Sequence, residues 1–105
     1  FYARACRTSM AFVWSTTPTN TRRAQLDAGR AWLRTQLIAN ALGLSFHPLS
    51  QALQEFPEMA ENYKRVHELL SRDAGETVQM LARLGYAPDV GPAPRQALES
   101  KLLPV

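Results

Sequence analysis

The sequence has one cysteine, two histidines and no apolar run of membrane-spanning length, and each scarcity closes a class of function. A lone Cys6 cannot form an internal disulfide, which fits a reducing compartment and hence a cytoplasmic location. Its thiol reads as structural or incidental, because no signature places a histidine beside it as a base. His47 and His67 lie far apart without an H-E-x-x-H spacing, so no metal site is expected. G-x-S-x-G, P-loop and G-x-G-x-x-G motifs are missing, which removes the sequence basis for serine-hydrolase, P-loop or Rossmann chemistry. The longest apolar runs fall far short of the roughly 18–20 residues of a transmembrane helix. The opening FYARACRTSM carries neither the apolar stretch nor the cleavage pattern of a signal peptide, and its first residue, Phe1, suggests a piece of a longer protein.

What is present fits one folded domain. A chain of 105 residues suffices for a single core, and its 46% apolar and 20% charged content is that of a globular protein. Twelve Lys and Arg against nine Asp and Glu give a net charge of +3. The arginines are scattered among acids without interleaved aromatics, so no nucleic-acid surface is expected.

Met10 to Ser15 (MAFVWS) reads as a buried strand, broken by TTPTN. From Arg22 to Leu42 the spacing predicts a helix, with Thr19 or Asn20 as N-cap and Gly43 at its C-terminal end. Leu26, Leu33, Leu37 and Ala41 share one face, and Arg23, Asp27, Arg30 and Arg34 follow one another along a second. LSFHPLS reads as an extended segment, Ser50 as the start of one helical turn, and Pro57 as the first position of another helix. In that helix Met59, Tyr63, Val66 and Leu70 form the apolar face, and RDAG is expected to end it at Gly75. Thr77 to Tyr86 alternates like a strand, although LARL also suits a helix, and RQALESKLL predicts a short terminal helix. The order suggests an α+β sheet with helical cover. Two or three strands are few for a stable sheet, which places its missing partners in another segment or subunit.

Few residues offer chemistry. Glu55, Glu58, Glu61 and Glu68 punctuate a helix in the manner of a solvated face. The arginine row is partly neutralised by Asp27, one turn from both Arg23 and Arg30. Arg95 follows a loop containing Pro88, Pro92 and Pro94. Its planar fork of donors matches phosphate oxygens, and the prolines restrict the loop, so it reads either as a phosphate ligand or as half of a surface salt bridge.

Two long segments, NTRRAQLDAGRAWLRTQLIANALGLSFHPLSQALQEFPEM and VQMLARLGYAPDVGPAPRQALES, together resemble the C-terminal part of nitroreductase-like FMN proteins. The branch they resemble is that of the mycobacterial dormancy-associated nitroreductase homologues. The likeness rests on DAG at Asp27 to Gly29, A-x-x-L-G-L ending at Leu44, R-L-G-Y at Arg83 to Tyr86 and P-x-P-R at Pro92 to Arg95, taken in order. It implies an α+β, nitroreductase-like fold with a mixed sheet, residues 1–105 being the C-terminal portion of one domain. It also implies a homodimer with FMN between subunits, and hydride passing from NAD(P)H through the flavin to a nitroaromatic or quinone-like acceptor. Because the flavin carries the redox chemistry, no catalytic side chain is obligatory. By position, Arg95 matches the basic residue that meets the FMN phosphate. Pro48, Leu49 and Ser50 match the turn that packs on the isoalloxazine ring and offers backbone groups near N5. The family's arginine- and serine-bearing motif for the flavin phosphate has no counterpart upstream of Met10, so the chain is expected to be inactive alone. The alternative is a flavin-binding or oligomerisation module without redox activity.

Overall fold

A computed structural model describes residues 2–103. The chain runs through α1 (Tyr2–Arg7), β1 (Ala11–Thr17), α2 (Arg22–Ala41), β2 (Ser45–Pro48), α3 (Ala60–Leu70) and β3 (Thr77–Gly85). Short 3-10 turns occur at Gln51–Leu53, Pro57–Met59 and Leu98–Lys101. The three strands form one sheet in the order β1-β3-β2, with β3 central because its nine residues are long enough to pair on both sides. Both pairings are antiparallel, so the mixed sheet implied by the resemblance is corrected to an antiparallel one among the described residues. The α+β class holds.

Alternation along the strands assigns the two faces. Phe46 and Leu84 pair on the face covered by α2, where the Trp32 and Phe46 rings meet at 5.4 Å. Phe12, Trp14, Arg83 and His47 belong to the other face. There Trp14 Nε1–H donates to the Leu70 carbonyl at the end of α3, and Arg83 Nη1–H donates to the Ala5 carbonyl of α1. Helices therefore lie on both sides of the sheet, and its centre is Ala82, which has no exposed surface.

One irregularity in β3 has consequences for packing. The register steps from Ser15↔Met80 to Thr16↔Val78, leaving Gln79 as the extra residue of a β-bulge. The simple alternation expected from Thr77 to Tyr86 is therefore interrupted, and the neighbours Thr77 and Val78 are both buried. His67 Nε2 accepts the Val78 N–H at 2.9 Å, just beside the bulge. That histidine stands beyond the reach of β2, which pairs only with residues Ala82 to Gly85.

Helix ends follow local chemistry, with three corrections. Thr21, rather than Thr19 or Asn20, caps α2, its hydroxyl accepting from the Ala24 N–H. Asn20 serves instead as a tie, joining Gln25, Gln79 and Glu55 through its side chain. The C-terminal end closes as expected: Gly43 has φ 75°, and the Gly43 and Leu44 N–H groups return to the carbonyls of Asn40 and Ala39. Pro57 does begin the turn leading into α3, but α3 stops at Leu70 and not at Gly75, because Ser71 is already extended. The expected terminal helix is reduced to the turn at Leu98–Lys101.

The second correction of substance concerns α2. Its sheet-facing side is Ala28, Trp32 and Ala39, small residues flanking one aromatic. Leu26, Leu33 and Leu37 lie roughly opposite, and the latter two are 57% and 60% exposed. Close approach to the sheet favours alanine, so the leucine stripe is left uncovered by the described residues. Packing is correspondingly loose: the radius of gyration is 16.6 Å, against ~13 Å for a compact domain of this length.

Candidate functional site

Arg95 lies in the irregular arm that follows β3, between Tyr86 and Ala97. It is exposed and has no hydrogen-bonding or ion-pair partner among the described residues. The salt-bridge reading is thus without a partner there, and the guanidinium is open to an anion. The apolar residues of the arm are equally uncovered, Val90 being 91% exposed.

The Pro48, Leu49 and Ser50 turn sits at the opposite end of the chain's extended segment. Leu49 is buried at 4% exposure, and its N–H donates to the Leu81 carbonyl at 2.8 Å, prolonging the β2–β3 ladder by one bond. Proline has no N–H to offer. Of the three, Ser50 therefore retains an N–H not engaged among the described residues, and its side chain is exposed. None of five well-formed clefts among the described residues is lined by Arg95, Pro48, Leu49 or Ser50, so none of these unites the two elements.

The arginine row behaves as its spacing indicated. Arg23 Nε pairs with Asp27 at 2.9 Å, and Arg30 approaches the same carboxylate at 3.8 Å. Both pairs are exposed, where such contacts contribute little, about 0.3–0.5 kcal/mol each.

One cleft, about 740 Å³, is an open groove lined by Tyr2, Ala52, Met59, Arg65, Val66 and Leu69. Burial raises the Tyr2 phenol above its usual 10.0, helped by the Cys6 thiol nearby. Tyr63 is raised in the same direction, first by burial and then by the Glu55 carboxylate. With ordinary values already at 10.0 and both shifted upward, the two phenols are protonated at neutral pH.

A second cleft, about 340 Å³, opens where the C-terminal end of α1 meets β2 and β3. It brings together Arg83, His47, Phe46, Tyr86 and the hydroxyls of Thr8 and Ser9. Arg83 Nε–H donates to His47 Nδ1 at 2.8 Å and Nη1–H to the Ala5 carbonyl at 3.1 Å. Sequence reasoning treated these two residues separately. The signal linking them is register, since His47 and Arg83 are direct cross-strand partners.

No group of three or more His, Cys, Asp or Glu side chains converges among the described residues. No described helix is long and apolar enough to cross a membrane. No protein-family model, curated protein or solved structure matches the chain.

Proposed function

We propose that this chain is the C-terminal part of a nitroreductase-like, FMN-dependent oxidoreductase of the cytoplasm. When bound, FMN supplies hydride transfer between NAD(P)H and a nitroaromatic or quinone-like acceptor. The observation that carries the reading is Arg95: a fixed cation behind Pro92 and Pro94, in the segment that resembles the family's phosphate-binding end, and uncommitted among the described residues. Its fork of donors would hold the FMN phosphate by charge-assisted hydrogen bonds. Ser50 would present its N–H to the ring system, while Leu49 holds that turn to the sheet through its bond to Leu81. These residues fit part of the cofactor only. Since none of the five clefts described above joins them, the rest of the site would come from a second surface, either another segment of the protein or a second copy.

Titrating FMN into the complete protein and following flavin fluorescence tests this. Quenching is expected, with affinity reduced about tenfold or more in Arg95→Ala, the loss expected when a charge-assisted hydrogen bond to phosphate is removed. A complete protein that leaves the fluorescence unchanged ends the oxidoreductase reading.

The uncovered leucine stripe of α2 favours a second reading, an oligomerisation module. Its contiguous apolar surface and the two open strand edges of β1 and β2 are features that association would cover. Dimerisation without flavin binding would select it over the first.

A further inference from the structure

The cleft between α1, β2 and β3 has donor chemistry that neither reading uses. Arg83 is held from two sides, by His47 Nδ1 at 2.8 Å and by the Ala5 carbonyl at 3.1 Å, which fixes the plane of its guanidinium and leaves the Nη2 hydrogens unassigned. The same contact settles the histidine. A guanidinium only donates, so Nδ1 must present its lone pair, and the neutral ring then carries its hydrogen on Nε2. His47 is exposed and lines the cleft, so its Nε2–H is a second donor on the same cleft lining.

Charge points the same way. Arg83 takes part in none of the ion pairs among the described residues, and no Asp or Glu lines the cleft. Arg4 and Arg7 stand on the adjoining last turn of α1. A half-buried, immobilised cation without a counter-charge favours an anion, because the guanidinium's orientation is already fixed before binding.

We propose that this cleft binds a phosphate group, as the free ion or as a monoester, through Arg83 Nη2–H and His47 Nε2–H. A phosphate has enough oxygens to accept from two separate residues at once, which a donor pair split between strands requires. The Thr8 and Ser9 hydroxyls donate to the carbonyls of Arg4 and Ala5 at 2.9 and 2.7 Å, so recognition depends on the Arg83–His47 pair. Tyr86, 72% exposed, flanks the opening and offers aromatic surface to an ester substituent. The site uses neither Arg95 nor the Pro48–Ser50 turn, and it stands or falls independently of flavin binding.

The test is a nuclear magnetic resonance titration of the isotopically labelled chain with inorganic phosphate and, separately, with phenyl phosphate, at ionic strength held constant with sodium chloride. Saturable shifts of the Arg83 Nε–H and His47 ring signals are expected with both probes. Affinity should fall about tenfold to a hundredfold in Arg83→Gln, and less in Arg83→Lys, which keeps charge but loses the fork. Tighter binding of phenyl phosphate identifies a monoester as the occupant, and equal affinities identify the free ion; both support the site. Should Arg83→Gln fail to fold, His47→Phe on the exposed edge strand carries the same comparison. Shifts that sodium chloride alone reproduces, or saturation unaltered in the folded variants, overturn the proposal.

Discussion

Replacing His67 by leucine should be among the most costly single changes on the surface of α3. The ring joins two elements: Nδ1 lies 2.8 Å from the Tyr63 carbonyl one turn earlier, and Nε2 accepts the Val78 N–H at 2.9 Å. With Nε2 accepting, the hydrogen sits on Nδ1, so both ring nitrogens are satisfied. Leucine preserves bulk but takes the His67 acceptor away from the N–H of Val78, a residue only 2% exposed. The Tyr63 carbonyl has the helix's own ladder as an alternative, so the Val78 N–H dominates the loss. An orphaned buried donor costs about 1–3 kcal/mol, and the Tyr63–His67 ring stack at 4.0 Å is lost as well. A total of about 2 kcal/mol follows, which lowers a urea midpoint by roughly 1–2 M at the slopes usual for small chains. Urea denaturation followed by circular dichroism measures it, with amide exchange at Val78 as the local probe. His67→Gln, whose side-chain carbonyl can accept the same hydrogen, should recover part of the loss. If His67→Leu unfolds within about 0.5 kcal/mol of the parent and Val78 exchanges no faster, the view of His67 as the ladder's substitute at the bulge is wrong.

Other outcomes follow from the helix ends, the phenols and the leucine stripe. Thr21→Ala removes the hydroxyl that accepts from Ala24 and should cost about 1 kcal/mol by thermal unfolding; Gly43→Ala, forced to φ 75°, should cost a similar amount, about 1–2 kcal/mol. The raised phenols of Tyr2 and Tyr63 mean that the unfolded chain ionises first. The stability they contribute is therefore complete below pH 10.0 and lost as pH rises through the folded values, which ultraviolet titration of the parent and of Tyr63→Phe will display as an upper step that is smaller in the variant, which keeps only Tyr2's contribution to it. Leu33→Glu together with Leu37→Glu should abolish self-association in sedimentation equilibrium while leaving the helical signal intact, because both side chains already face outward; a dimer that persists would move the interface elsewhere.

Much of the architecture was legible because it is local. The β-rich MAFVWS run, the long 3.6-residue period from Arg22, Pro57 at a helix start and Gly43 at a helix end each act within a few residues and appear in the expected places. The strand expected to be buried, however, is an edge strand, with Phe12 and Trp14 44% and 45% exposed. The site was legible only in part. Arg95 and the Pro48–Ser50 turn could be named from resemblance and residue type, but that Leu49 is buried and bonded to Leu81 depends on pairing with a strand distant in the sequence. Which face of α2 meets the sheet was also hidden, since leucine is the more hydrophobic residue but alanine permits the closer approach that Trp32 and Phe46 require.

Spacing along the chain thus decided where the main helices and strands lie, though not all of their ends, because hydrogen bonds and side-chain periods are properties of neighbours. Tertiary structure decided the antiparallel order β1-β3-β2, the bulge at Gln79, the partnership of His67 with Val78 and the meeting of His47 with Arg83. Those depend on register between distant segments, and a shift of a single residue would send His47 and Arg83 to opposite faces of the sheet.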